Sequence, residues 1–277
     1  MYNSKYCYTF GGMKRKISKE TNRSEGWKGA KASGHLNEKL VAEKMNDGVT
    51  NVYSCGFSKV SSILDRKTPS KPDIIIDSKG RIRRRSLKKS FTGQVHMNSV
   101  DIFSRGFEVK YEKVPDKIRE SLKLIFGGSK LSWDILQDSK FIHMDQKIRN
   151  MELRRKTLCF ETFRKFDESA FNDLIKWFRN NIQQIATIIF QTGWASEQEN
   201  HADELWYKNL VDEGCSFDQV FDIDQIIEKS LSKKDQIYPK TKNGGTVINL
   251  PFGWVQYHQG QMQFHHSLKQ ISELFVD

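Results

Sequence analysis

Long apolar runs are missing from this 277-residue sequence; the strongest is IATIIF, Ile185 to Phe190. A helix that crosses a bilayer needs about 20 mostly apolar residues, so no membrane span is expected. The opening MYNSKYCYTFGGMKRK does not run from charged to apolar as a secretory signal does, and the expected setting is the cytoplasm. Cysteine is scarce. Cys7, Cys55, Cys159 and Cys215 lie far apart with no C-x-x-C pair, which speaks against structural zinc and for reduced thiols. There is no phosphate-cradling glycine loop, no Ser-His-Asp signature, no dinucleotide fingerprint and no internal repeat. Acid is missing from one stretch in particular: Lys79 to Lys89 holds seven Lys/Arg and no Asp or Glu.

What is present is a basic chain with enough apolar residues for a sizeable core. It is 37% hydrophobic and 12% aromatic, with a formal net charge of +11. That balance favours a polyanionic partner, nucleic acid first. Residues 1–33 hold eight Lys/Arg against two Glu and show little periodicity. They read as a basic arm, loose until it meets its partner. From Gly34 the pattern turns helical, with Leu36, Leu40, Val41 and Met45 as one stripe. NVYSCGF reads as a strand, and DIIID and RIRRRSL as a hairpin around Ser78-Lys79-Gly80, its first strand buried on both faces. VPDKIRESLKLIFGG and NMELRRKTLCFETFRKF read as helices. AFNDLIKWFRNNIQQI is the cleanest, with Phe171, Leu174, Ile175, Phe178, Ile182 and Ile185 on one face. ATIIFQTG reads as a buried strand, FDIDQIIEKSL as a helix, GTVINLPFGWVQYHQGQMQFHHS as strands turning at Gln259-Gly260, and SLKQISELF as a closing helix. Trp177, Trp194 and Trp206 are expected to be buried. The expected fold class is α/β: a core over 34–200 with a central mixed β-sheet flanked by helices, completed by a C-terminal β-rich α+β part over 201–277.

The stretch SKPDIIIDSKGRIRRRSLKK, Ser70 to Lys89, has the chemistry of a metal-dependent phosphodiesterase. Such a reaction needs carboxylate for Mg²⁺, a cation near the scissile phosphate and a basic groove. Asp73 begins one strand of the hairpin, and Lys88 follows it by 15 residues on the other. Residues two apart on a strand share a face, so Arg84, Ser86 and Lys88 point together. The carbonyl of Leu87, between Ser86 and Lys88, can reach a metal. A rival uses Asp73 with Glu108 and Lys110 from GFEVKYEK, a more orthodox acid-x-lysine triplet set much further along the chain.

Pro72-Asp73 and Lys88 resemble the PD-(D/E)XK nuclease family, with Ser86 standing where that family has its second acid. SLKKSFTGQVHMNSV, through Gln94, Val95 and His96, resembles a subgroup of restriction-type endonucleases, with Asn98 where that subgroup often has an acid. The resemblance implies a restriction-endonuclease-like core and a Mg²⁺-dependent enzyme that cuts double-stranded DNA to 5′-phosphate ends. It further implies a helix carboxylate before the hairpin, for which Glu38 is the best match and Glu43 the fallback. Asp73, Glu38 and the Leu87 carbonyl would bind metal, and Lys88 would position or activate water. A homodimer and a cognate DNA methyltransferase would be its partners. A non-catalytic DNA-binding protein with a degenerate site, a repair nicking endonuclease and an RNA-directed protein are the alternatives.

Seven histidines invite a metal reading, yet His265 and His266 are adjacent and point to opposite faces of a strand. His96 has no compact His-Asn-His arrangement around it. Glutamine can pair bidentately with adenine, so the candidate DNA contacts are Gln94, His96, Gln256, His258, Gln263 and His265, with Arg84 as a phosphate contact.

Overall fold

The structure is a computed structural model and describes residues 23–56, 58–212, 217–240 and 245–276. The chain opens with a long helix, α1 (Arg23–Met45), followed by β1 (Thr50–Ser54), two short strands β2 (Lys59–Val60) and β3 (Thr68–Pro69), and the hairpin β4 (Ile74–Ser78) and β5 (Arg81–Lys88). Next come β6 (Thr92–Asn98) and α2 (Val100–Lys110). A helical layer follows: α3 (Asp116–Leu122), α4 (Lys130–Gln137), α5 (Gln146–Arg155), α6 (Phe160–Phe166), α7 (Glu168–Asn180) and α8 (Ile182–Ala186). The chain returns through β7 (Glu204–Lys208), β8 (Asp218–Asp222) and α9 (Ile223–Ser232). It ends with β9 (Tyr238–Lys240), β10 (Val247–Leu250), β11 (Gly253–His258), β12 (Gln261–Ser267) and α10 (Leu268–Leu274).

The expected α/β architecture forms, with a mixed central sheet, flanking helices and a β-rich C-terminal part. The central sheet runs β1-β4-β5-β7-β8. Its neighbours are antiparallel except β5 and β7, which run parallel, with Ser86 opposite Leu205 and Lys88 opposite Tyr207. A second sheet, β6-β12-β11-β10-β9, is antiparallel throughout. Because β7 belongs to the first sheet and β6 to the second, each sheet joins chain from both sides of residue 200.

The two faces of the central sheet bury different cores. On one face Val41 and Ala42 of α1 pack on Val52, Ile74, Ile76, Leu87 and Trp206. On the other, Leu205 and Tyr207 join the main core, which holds Phe103 and Phe107 of α2, Phe178 of α7 and Phe264 of β12. Alternation along β5 therefore sends Leu87 into one core and Ser86 and Lys88 to the opposite face. Lys79 and Gly80 have φ of 53° and 81°. They form the tight two-residue turn whose left-handed backbone matches the strand twist. Gln259 and Gly260, at 50° and 78°, do the same between β11 and β12.

Several expectations are corrected. ATIIFQTG is helix, not strand: α8 runs into a wider π-helical turn over Thr187–Thr192, ended by Gly193 at φ 51°. A short apolar run has no periodicity to separate the two. NMELRRKTLCFETFRKF is two helices, broken where Lys156 takes a left-handed φ of 56°. Ile75 is only half-buried, so β4 is not covered on both faces, and Leu36 is exposed rather than part of the buried stripe of α1. The helix begins at Arg23, so the tail of the 1–33 segment is α1; residues 1–22 lie outside the described residues.

Gly106 of α2 is a close-approach glycine. A Cβ there would sit 2.5–2.8 Å from the indole ring of Trp194, which is 2% exposed. Gly106→Ala should therefore cost about 1–3 kcal/mol through overpacking. A urea unfolding curve checks this, with a lowered midpoint at unchanged slope as the expected result.

Candidate active site

Asp73 is held from both sides before β4 starts. Its backbone N–H donates to the Arg85 carbonyl at 2.8 Å, and its own carbonyl accepts from Cys55 N–H at 2.9 Å. The side chain is therefore aimed across the hairpin. Its Oδ2 accepts from Leu87 N–H at 2.7 Å, from the Ser86 hydroxyl at 3.2 Å and from the Lys88 ammonium at 3.3 Å. Lys88 Nζ also donates to Ser86 Oγ at 3.0 Å and to the Leu87 carbonyl at 3.1 Å. Ser86 thus passes a hydrogen bond between the cation and the carboxylate. Asp73 Oδ1 has no partner among the described residues.

Glu38, on α1, is close enough to feel the charges of Asp73 and Lys88. The buried Asn37 beside it fixes the helix, donating to the Lys208 carbonyl and accepting from Leu210 N–H, both at 2.8 Å. Glu38 Oε2 lies 3.2 Å from His35 Nδ1. Burial raises the Glu38 pKa, the Asp73 charge raises it further, and His35 and Lys88 pull the other way. Two carboxylates and one ammonium therefore feel one another at the mouth of the hairpin. Burial and the same two carboxylates push the Cys55 thiol up to about 11, so it stands there as neutral S–H. Glu43 lies on the exposed side of α1, 3.7 Å from Lys39.

The cleft in front of Asp73 has a volume of about 340 Å³, and Ser86 and Lys88 line it. Sequence reasoning missed three more of its lining residues as site residues: Arg66, Lys71 and Asn98. Lys71 sits two places before Asp73, inside the Ser70–Lys89 stretch, and its identity as a lysine was the available signal. Its ammonium donates to the Ile189 carbonyl. Burial and then the Lys88 charge push its pKa down to about 7, against the pull of Asp73. Asn98 accepts from Arg66 Nη2 and Trp194 Nε1, both at 3.4 Å. These residues come from a loop, a strand end and a turn, so no local pattern joins them.

The rival triplet is on a helix. Glu108 and Lys110 belong to α2, where two residues diverge by about 200° around the axis. Glu108 pairs with Arg119 at 3.5 Å, and burial lowers the Lys110 pKa to about 8. The strand geometry that would bring both to Asp73 does not form.

The other sequence candidates divide. Arg84 shares the face of Ser86 and Lys88 but pairs with Asp203 at 3.7 Å, and its N–H donates to the same carboxylate at 2.9 Å. Gln256, Gln263 and His265 meet on one face of the second sheet. The Gln256 amide donates to Gln263 Oε1 at 3.1 Å and to His265 Nε2 at 3.2 Å. His265 stacks on Trp254 at 4.9 Å, and His258 is half-buried opposite Gln261 on the same face. His266 points the other way and is fully buried, bonded to the Tyr207 hydroxyl. Burial, and then the charges of Lys88 and Lys71, hold it neutral. Gln94 and His96 lie on β6, but their side chains fall outside the described residues.

A Mg²⁺ ion fits what is present. Asp73 Oδ1 and Glu38 Oε1 have no protein partner among the described residues, and both are hard oxygens. Among the described residues no group of three His, Cys, Asp or Glu could cage a metal. Mg²⁺ asks for less, because it keeps several waters and takes one or two carboxylates. Among the described residues no helix is long and apolar enough to cross a membrane.

No protein-family model matches the chain, and no curated protein matches it. Among solved structures it resembles the restriction endonuclease MspI in complex with its cognate DNA, at a TM-score of 0.44 and 12% identity, over 83% of this chain and 76% of that one. A likeness of that size shows neither a family nor an activity.

Proposed function

We propose that the protein is a Mg²⁺-dependent endonuclease that hydrolyses phosphodiester bonds in duplex DNA. One observation carries this: Asp73, just before β4, and Lys88 of β5 share a hydrogen-bonded centre, with a second carboxylate, Glu38, close enough to be perturbed by both. Asp73, Glu38 and the Leu87 carbonyl would hold the ion. Bound there, Mg²⁺ supplies polarisation of a phosphoryl oxygen and a more acidic water. Lys88 offsets charge that builds on the phosphate and orients the attacking water. Ser86 keeps the lysine aligned without adding a charge of its own. Hydrolysis would leave 5′-phosphate ends. The polar face with Gln256, His258 and His265, together with Arg84 and the β6 residues Gln94 and His96, would contact DNA, whereas Gln263, expected as a contact, is buried at 5% exposure and bonded to Gln256. The finer reading is a type II restriction enzyme: a homodimer, one centre per strand, with a cognate methyltransferase.

Incubating supercoiled and linear phage DNA with Mg²⁺ tests this. Discrete fragments that vanish in EDTA are expected, and nicked circles alone would indicate a nicking enzyme. The neutral Ser86 favours a second reading, a DNA-binding protein whose site no longer cuts. Tight binding that weakens steeply with salt, with no cleavage in any divalent metal, would replace the first reading with this one.

A further inference from the structure

The cleft is lined by basic residues beyond those of the hydrolytic centre. Arg66, Lys71 and Lys88 line it against a single lining carboxylate, Asp73. Asp73 is already taken by Lys88 at 3.3 Å. Among the described residues Lys71 has no carboxylate of its own, and its ammonium donates to the Ile189 carbonyl. An ammonium offers three N–H donors, so two are left over. Lys71 lines the cleft, so those donors are open to an anion that enters it.

Asn98 lines the cleft too. Its amide oxygen receives two donors, Arg66 Nη2 and Trp194 Nε1. Both partners can only donate, so the orientation of the amide is fixed and its NH₂ is the end left for a ligand. The guanidinium of Arg66, exposed at the rim, adds further N–H groups. Among the described residues the remaining N–H groups of Lys71, Arg66 and Asn98 have no acceptor, and these residues line a cavity at the small end of the ~300–1,000 Å³ range of ligand sites.

We propose that Lys71, Arg66 and Asn98 form a phosphate-binding wall that holds a phosphodiester opposite Lys88. As a statement about the scissile phosphate it rests on the nuclease reading; as a statement about phosphate binding it does not. The phosphate could belong to a DNA backbone or be free in solution.

Three measurements on the full chain test this, using Lys71→Gln and Arg66→Ala. The first is binding of a fluorescent DNA duplex in EDTA across a salt series. The second is competition by inorganic phosphate, and the third is single-turnover cleavage in Mg²⁺. Each variant should flatten the slope of log affinity against log salt by about 0.9, one phosphate contact. Inorganic phosphate should compete less well against each variant than against wild type. Cleavage should fall about tenfold or more, with the Mg²⁺ midpoint unchanged. Weaker phosphate competition with an unaltered duplex slope would support the wall and assign it to free phosphate. Unaltered slope and competition in both variants, with cleavage intact, would overturn the wall and leave the nuclease reading standing. Altered slopes without cleavage by wild type would do the reverse. If Lys71→Gln does not fold because the Ile189 carbonyl loses its donor, Arg66→Ala, at an exposed position, carries the same three readouts.

Discussion

Lys88→Ala should lower single-turnover cleavage in Mg²⁺ by at least about a hundredfold, the usual scale for losing a group that moves or orients a proton in the transition state. Lys110→Ala should cleave as wild type does. The contrast follows from position. Lys88 Nζ is within hydrogen-bond reach of Asp73, Ser86 and the Leu87 carbonyl, whereas Lys110 ends a helix whose Glu108 is turned toward Arg119. Stability separates a chemical role from a structural one. The Lys88–Asp73 pair is mostly buried, with side-chain exposures of 19% and 27%. In Lys88→Ala, Asp73 keeps Leu87 N–H and Ser86 Oγ as donors. The unfolding free energy should therefore fall by only about 1–3 kcal/mol, while cleavage falls far more than that. Lys88→Arg retains the charge but spreads it over a planar fork too large for the contact with Ser86 Oγ, and should recover little activity. Normal cleavage by Lys88→Ala with loss in Lys110→Ala would move the active centre to α2.

The central hairpin was legible because its information is local. A proline-acid pair, an apolar strand, a turn that needs left-handed backbone at Lys79 and Gly80, and a basic strand all lie within 20 residues. The C-terminal hairpin at Gln259-Gly260 was legible for the same reason. Less legible was everything decided by what a segment packs against. Ile185 to Phe190 is apolar at every position but Thr187, so its sequence suits a buried strand as well as the helix it forms. Val109 and Lys110 follow Phe107 in a pattern that reads as alternating, and only burial of Phe103 and Phe107 against Trp177 shows the helical period. The cleft wall was least legible. Arg66, Asn98 and Trp194 are brought together by the meeting of a loop, the end of β6 and the turn after the π-helical segment, and long-range contact of that kind leaves no spacing to read. Lys71 could have been found, because it stands beside the acid that motif reasoning had already chosen.

Asp73→Asn should abolish detectable Mg²⁺-dependent cleavage and weaken the Mg²⁺ response, with the fold kept. The amide has nearly the shape of the carboxylate, and its oxygen can still accept from Leu87 N–H, Ser86 Oγ and Lys88 Nζ. What goes is the charge that a divalent ion requires and that balances Lys88. A neutral oxygen is a much poorer partner for Mg²⁺ than a carboxylate, and removing one partner of a buried pair leaves the other charge uncompensated. The same substitution has a titration signature at Glu38. Burial is the first cause of the raised Glu38 pKa and the Asp73 charge the second. In Asp73→Asn the Glu38 pKa should therefore drop, which carboxyl-carbon NMR can follow. The sign of the linked effects is set by that direction. A carboxyl whose folded pKa is raised holds its proton to higher pH than the unfolded chain does. The stability it contributes is present below the ordinary carboxylate value and is lost as pH rises through the raised one. Metal binding must displace the same proton. Wild-type Mg²⁺ affinity should therefore climb as pH rises through the interval between those two values. A wild-type Mg²⁺ affinity that stays flat across that interval would remove Glu38 from the ion's ligands, and would leave Asp73 to hold the metal with the Leu87 carbonyl and water.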